Sequence, residues 1–358
     1  MTPSLTDTVG GITTGPADPC EAFATTNLTR DPPTGIASVV TVHNSLFPFQ
    51  RDIVGWGLRR GRCAVFADTG LGKTRMQLAW ADAVRRHTAR KVLILAPLAV
   101  AQQTADEGRD MGLIVTVCRD GSEIQHGINI TNYDRLHRFD PSAFGAVVLD
   151  ESSVIKHHDA KTLGILLGAF ADTPFKLCAT ATPAPNDFTE LGTHAEFLGA
   201  CTRAEMLAEF FCHDGGETQK WRLKGHARVA FWRWVASWAA MVRRPSDLGY
   251  DDGGYSLPPV HYVEHTVAAR LDTYRRAGFL FAQEAQTLMD RRNARRSSVD
   301  DRVAECAAAV NAEPGEPWIV WCDLNAESEA LTKAIDGAVE LRGSHSAEEK
   351  EDRLSRFA

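Results

Sequence analysis

The stretch from Ala64 to Thr74, AVFADTGLGKT, constrains this chain more than any other. Ala64, Val65, Phe66 and Ala67 run apolar, as a short buried strand would, and break into a turn holding Gly70 and Gly72. Behind Lys73 and Thr74 a helical pattern starts with Met76, Leu78, Ala79 and Trp80. Strand, glycine turn and helix together bind phosphate. The glycines let backbone N–H groups turn inward around an anion, and the helix N-terminus adds partial positive charge. In this arrangement Thr69, Gly70, Leu71 and Gly72 form the cradle, Lys73 reaches the β- and γ-phosphates, and the Thr74 hydroxyl takes Mg²⁺. The usual pattern G-x-x-x-x-G-K-[ST] is broken only at its first position, which here is Ala67.

A second chemical landmark lies downstream. GAVVLDESS, residues 145–153, is a buried strand closed by two acids. A carboxylate ending an apolar strand beyond a phosphate loop is the Mg²⁺-holding arrangement of phosphate-loop NTPases, which points to Asp150 for that role. Glu151 beside it can polarise an attacking water. Around these two motifs KVLILAP, LIVTVC, INIT and PFKLCATATP read as further strands, and LAVAQQTADEGRDMG reads as a helix. Strands alternating with helices imply an α/β fold with a doubly wound parallel sheet. Ligands of such sheets bind beyond the strand C-termini, where Lys73, Asp150, Glu151 and Thr180 all fall.

Upstream, LFPFQRDIVGWGLRRG carries Ile53, Val54, Trp56 and Leu58 on one amphipathic helix. Gln50 stands 23 residues before Lys73, and its amide, with one acceptor and two donors, suits the edge of adenine. Residues 1–42 hold ten Thr, five Pro and four Gly. So few large apolar side chains cannot offset the entropy of ordering, and a disordered tail is expected there.

Composition excludes several function classes. A net charge of −7 argues against coating nucleic acid by bulk charge, while leaving room for a local basic groove. The eight cysteines are scattered with no C-x-x-C, which fits a reduced cytosolic protein and disfavours a zinc site. His157 and His158 are adjacent and diverge on any regular element, so they are not expected to hold a metal. The longest apolar run, Val92 to Ala101, has ten residues and contains a proline, so no membrane span or membrane partner is expected. The N-terminus has neither the basic nor the apolar region of a secretory signal.

The order FPFQ, ADTGLGKT, LILAPLAVAQQ, ITNY, VVLDESSVIK, ATATPAPN resembles the first RecA-like lobe of a superfamily 2 helicase or translocase. Within that superfamily it is similar to the Swi/Snf-type ATPases. Lys156 in DESSVIK matches their DEAH-x-x-K pattern, and residues 243–259 resemble their two arginines followed by leucine-proline. It also resembles phage- and prophage-encoded members, which implies the cytoplasm of a bacterial or infected cell. By this resemblance Gln50 reads adenine, Lys73 and Thr74 hold phosphate and Mg²⁺, Asp150 holds Mg²⁺ and Glu151 is the base. Thr180 and Thr182 link the nucleotide site to DNA contacts, and Pro97, Leu98, Gln102, Thr131, Asn132, Arg243 and Arg244 fall where the family meets nucleic acid. ATP and Mg²⁺ are the implied ligands and DNA the implied partner, double-stranded rather than single-stranded. DESS stands in place of DEAH, which keeps both carboxylates and removes a histidine.

The resemblance divides the chain into a lobe over 43–200, a helical protrusion and linker over 201–312, and the start of a second RecA-like lobe over 313–358. Residues 190–250 read as helical and aromatic, with Trp232, Val235, Trp238 and Met241 as one core stripe and Lys220, Arg222 and Lys224 as further DNA-facing cations. RRNARR, residues 291–296, reads as a solvated face. WIVWCDL and AVELRG read as buried strands around the helix ESEALTKAI. A second lobe needs roughly 150 residues, and 42 follow from Pro317. The family's later arginines would lie beyond Ala358, so slow hydrolysis by this chain alone is expected. The function implied is ATP-dependent translocation on DNA. The alternative is a nucleotide-dependent nucleic-acid-binding module without turnover.

Overall fold

The computed structural model describes residues 33–38, 41–98, 100–156, 161–214, 217–255, 258–267 and 287–357. The chain divides into two compact units, Met1–Leu257 and Pro258–Ala358.

The first unit is built on a seven-stranded sheet in which every pairing is parallel. Its strands are β1 (Arg62–Ala67), β2 (Lys91–Ala96), β3 (Val115–Val117), β4 (Ile128–Asn132), β5 (Phe144–Asp150), β6 (Phe175–Ala179) and β9 (Ala239–Val242), in the spatial order β3-β4-β2-β5-β6-β1-β9. Helices α1 (Pro48–Arg60), α2 (Lys73–Thr88) and α3 (Ala101–Asp110) cover one face. Helices α4 (Lys161–Ala169), α5 (Leu191–Leu198), α6 (Arg203–Phe210) and α7 (Arg228–Trp238) cover the other. The period-two geometry of a strand explains why the sequence reads as unbroken apolar runs. In β2, Val92, Ile94 and Ala96 face the first layer while Leu93 and Leu95 face the second. The doubly wound sheet expected from the sequence is what the structure has.

Three strand segments depart from the helical reading of 190–250. Strands β7 (Phe211–Asp214) and β8 (Glu217–Leu223) form an antiparallel hairpin, and β9 joins the main sheet beside β1. The helix α7 is real, but its core stripe is Ala230, Phe231, Trp234, Val235 and Trp238. Trp232 is half-buried, and Met241 is 45% exposed because the helix has ended and the chain is a strand there. Val235 and Trp238 are core residues as expected, and Phe231 and Trp234 replace Trp232 and Met241 on the buried face.

Most of the tail expected over 1–42 lies outside the described residues. Residues 34–36 lie inside and are tied down. The N–H groups of Thr34, Gly35 and Ile36 donate to the carbonyls of Arg60, Arg59 and Leu58 at 3.2, 3.2 and 2.8 Å, and Ile36 is buried. Gly35 is required by this approach, since a Cβ there would meet the Leu58 carbonyl oxygen at 2.0 Å.

The second unit holds α8 (Leu288–Ser297), α9 (Val299–Asn311), α10 (Asn325–Ala334) and α11 (Ala347–Ser355). Helices α9 and α10 meet through buried Val303, Ala307 and Leu331 and an Arg302–Glu327 ion pair at 2.9 Å. WIVWCDL is not a buried strand. Residues 317–322 make no strand ladder, and Trp321 is 92% exposed. Residues 338–342 likewise form no strand, with Val339 at 61% exposure. An apolar run becomes a buried strand only where neighbours supply its hydrogen bonds, and among the described residues of this unit none does. No helix among the described residues is long and apolar enough to cross a membrane.

Candidate active site

The order β5-β6-β1-β9 brings four strand ends together on one edge. Asp150 lies opposite Ala179, Ala179 opposite Val65, and Ala67 opposite Val242. The segments leaving these strands carry Lys73, Asp150, Glu151 and Thr180. Had Lys73 and Asp150 fallen on opposite edges, no shared site would exist. They fall on the same edge.

The phosphate loop leaves β1 and enters α2 through two left-handed glycines, Gly70 (φ 81°) and Gly72 (φ 75°). Gly72 is needed twice over, because a Cβ there would also stand 2.5 Å from the Gln50 amide nitrogen. The Lys73 ammonium donates to the carbonyls of Ala67 at 3.0 Å and Asp68 at 3.3 Å. These backbone acceptors hold the cation over the loop, in the place where anionic oxygens would compete for it. The Asp68 carboxylate accepts from the Thr69 N–H at 2.7 Å. Thr74 is half-buried in the first turn of α2, beside Lys73. Gln50 is 2% exposed and braces the loop. Its Nε2 donates to the Leu71 carbonyl and its Oε1 accepts from the Phe47 N–H, each at 2.9 Å.

The acid turn that ends β5 is held from several elements. Asp150 is 7% exposed and its Oδ1 accepts from Gln77 Nε2 at 2.6 Å. Burial pushes its carboxyl above the ordinary range, and the Glu151 charge adds to this; the Gln77 hydrogen bond and the Lys73 charge oppose it. The Tyr133 hydroxyl donates to the Asp150 carbonyl at 2.6 Å. Burial, then the nearby Asp150 charge, push this phenol well up, so it stays a donor. Glu151 adopts the left-handed conformation (φ 48°, ψ 52°), which costs a non-glycine residue about 1–2 kcal/mol. Thr180 is fully buried. Its hydroxyl donates to Glu151 Oε2 at 3.1 Å and accepts from the Thr182 N–H at 3.2 Å, while Thr182 itself is exposed. Ser152 Oγ lies 3.1 Å from His194 Nε2, both residues fully buried.

The residues expected to touch nucleic acid are dispersed along the same edge. Pro97 and Leu98 follow β2 and are half-buried; Gln102 is exposed on α3, its amide on Asp106 at 3.0 Å. Thr131 and Asn132 are 1% and 5% exposed, and the Asn132 carbonyl oxygen of the side chain caps the Arg135 N–H at 3.0 Å. Neither presents a side chain to solvent. Arg243 and Arg244 are exposed, and both their N–H groups donate to Asp247, at 2.7 and 3.2 Å. They stand next to the phosphate loop, because the Asp68 N–H donates to the Val242 carbonyl at 3.0 Å. The Lys224 ammonium is bound to the carbonyls of Ala208 and Glu209. Arg222 is exposed on the hairpin, and the Lys220 side chain lies outside the described residues, as does the His157–His158 pair. No group of His, Cys, Asp and Glu suited to a metal was found among the described residues. The seven described cysteines are free thiols.

Four residues were missed from sequence: Gln77, Tyr133, Ser152 and His194. Gln77 carried a signal, since it lies one helical turn after Lys73 on the same face. Tyr133 ends the ITNY motif. The Ser152–His194 pair is separated by 42 residues and only the fold joins it.

No protein-family model matches the chain, and no curated protein does. Among solved structures, it is similar to the Sulfolobus solfataricus SWI2/SNF2 ATPase core in complex with dsDNA (TM-score 0.48, 21% identity, covering 57% of this chain and 46% of that one). It is also similar to the UvsW helicase from Bacteriophage T4 (TM-score 0.37, 17% identity, 46% and 62%) and to the Pyrococcus furiosus Hef helicase domain (TM-score 0.36, 18% identity, 44% and 39%). The chain spans less than two thirds of each of those chains.

Proposed function

We propose that this chain is the ATP-binding part of a superfamily 2, Swi/Snf-type translocase that couples ATP hydrolysis to movement on DNA. The observation that carries the reading is the convergence of the phosphate loop, Lys73, the Asp150–Glu151 turn and Thr180 on one edge of one sheet. A triphosphate fits the donor set: a loop turned by two left-handed glycines, an ammonium held by loop carbonyls, and a helix N-terminus. Magnesium fits too, as a hard cation suited to the Thr74 hydroxyl and the buried Asp150 carboxylate. When bound, it neutralises charge on the phosphate oxygens.

In this reading Glu151 orients and deprotonates the attacking water. Thr180 fixes the Glu151 carboxylate and shares its hydroxyl with the Thr182 N–H, so movement of the 180–187 loop is felt at the acid. Arg243 and Arg244 supply phosphate contacts on the track, and duplex DNA is the preferred track. The proposed division of labour is a lobe over 43–200, a protrusion and linker over 201–312 and a second lobe starting at 313, with β9 of the middle segment returning to the sheet of the first. A module that binds nucleotide without turnover has no use for a carboxylate held in a strained turn by a buried threonine, and this favours hydrolysis.

The test is ATP–Mg²⁺ binding and phosphate release by the full chain, with and without duplex and single-stranded DNA. Binding with DNA-stimulated release that Glu151→Gln abolishes, while nucleotide binding survives, is the expected result. Absence of ATP binding would sink the proposal.

A further inference from the structure

Most buried polar groups of the acid turn have an evident partner and purpose. His194 is the exception. It is fully buried in the layer formed by α5 and α7, with its ring edge-on to Phe66 at 5.2 Å, and Phe66 in turn meets Trp238 at 6.2 Å. Its Nε2 lies 3.1 Å from the Ser152 hydroxyl, and hydrogen-bonding backbone groups of Glu190 and Ser152 also face the ring. A leucine of similar volume would fill this apolar hole without taking polar ring nitrogens out of water. An imidazole is therefore costly here, and its side-chain hydrogen bond to Ser152 carries the ring's hold onto the acid turn.

Ser152 is the residue directly after Glu151, whose backbone is left-handed. Such a conformation persists only where the surroundings over-determine it. Three bonds act on the turn from the β4, α2 and β6 side: Tyr133 on the Asp150 carbonyl, Gln77 on the Asp150 carboxylate and Thr180 on the Glu151 carboxylate. None of them restrains the chain after Glu151. The His194 bond does.

We propose that His194 is a positioning residue: through the Ser152 hydroxyl it locks the outgoing half of the acid turn and so aims Glu151. This rests on the nucleotide-hydrolysing reading given above. His194 lies in α5, and Thr180 lies at the start of the same segment, 180–194, that leads into it. The carboxylate of Glu151 and the backbone behind it are therefore gripped by two ends of one connection. A displacement of that connection turns the acid, which makes the segment a lever on the catalytic base.

The experiment compares the full-length chain with Ser152→Ala, His194→Leu and His194→Gln. Three quantities are read: ATP–Mg²⁺ affinity, kcat, and hydrogen exchange of the amides at 150–155. Ser152→Ala and His194→Leu should leave affinity within about threefold and lower kcat by about tenfold or more. Exchange at 150–155 should quicken by about tenfold, while β2 and β5 amides stay protected. His194→Gln, which keeps a hydrogen-bonding group, should recover most of kcat. Wild-type exchange and kcat in both deletion variants would overturn the proposal, as would a Gln variant no better than Leu. Should His194→Leu fail to fold, Ser152→Ala removes the same bond from the other side and decides alone. If the wild-type chain releases no phosphate, the functional reading falls, and the exchange measurements still decide whether His194 locks the turn.

Discussion

The two ends of the central sheet bury charge in opposite ways. At the C-terminal end Asp150 and Glu151 accept from Gln77, Tyr133 and Thr180, each bond coming from a different element, with the Lys73 charge nearby. Toward the N-terminal end of β6, Lys176 is 4% exposed and has a simple setting. Its ammonium donates to the Phe197 carbonyl at 3.0 Å and lies 5.0 Å from that residue's ring centre. Burial, then the Arg62 charge, bring this amine down to about 8. Lys176 ties the end of α5 to the sheet, and one carbonyl suffices for that. The acid turn holds a left-handed backbone at Glu151 and carries two adjacent carboxylates. The acid turn is restrained from three separate elements, and Lys176 by a single carbonyl.

Four measurements would break or sharpen this contrast. The largest effect is expected from Lys73→Ala, which should weaken ATP–Mg²⁺ binding by about a hundredfold or more with little change in thermal stability, since the ammonium's present partners are only loop carbonyls. Equilibrium titration with a fluorescent nucleotide and a melting curve test both halves. Gln77→Leu comes next. It strips Asp150 of its one side-chain donor, and the Mg²⁺ needed for half-maximal turnover should rise by about tenfold.

The third concerns acid stability. Burial holds His194 at about 4, against an ordinary 6.5. The unfolded chain therefore takes up a proton first as pH falls, so the contribution of the neutral ring is complete above about pH 6.5 and is lost progressively toward pH 4. Converted at the usual rate per unit, that limb amounts to about 3 kcal/mol, and His194→Leu should flatten it in denaturant titrations across this window. The smallest effect is expected at the far end of the sheet. Lys176→Met keeps the buried methylenes, and kcat should stay within about twofold of wild type while stability shifts modestly. A large loss of turnover there would erase the distinction between the two ends.

Sequence legibility followed the same divide. KVLILA and WIVWCDL look alike as apolar runs. The first became β2, buried between β4 and β5, whereas Trp321 in the second is 92% exposed. Nothing local tells them apart, because a strand's burial is a property of its neighbours. The hairpin of β7 and β8 and the edge strand β9 were hidden for a related reason: the aromatic residues around them fit a helix period well enough to mask short strands. Thr131 and Asn132 show a further limit. Their position after an apolar strand was legible, and their burial was not.

The sequence by itself determined the phosphate loop, the paired acids and the alternation that makes a parallel sheet, because each rests on residues a few positions apart whose backbone preferences act locally. The tertiary structure decided which strand ends share an edge, and with it that Gln77 meets Asp150 across 73 residues, Thr180 meets Glu151 across 29, and His194 meets Ser152 across 42. Hydrogen bonds of that span depend on strand order, which no short pattern encodes.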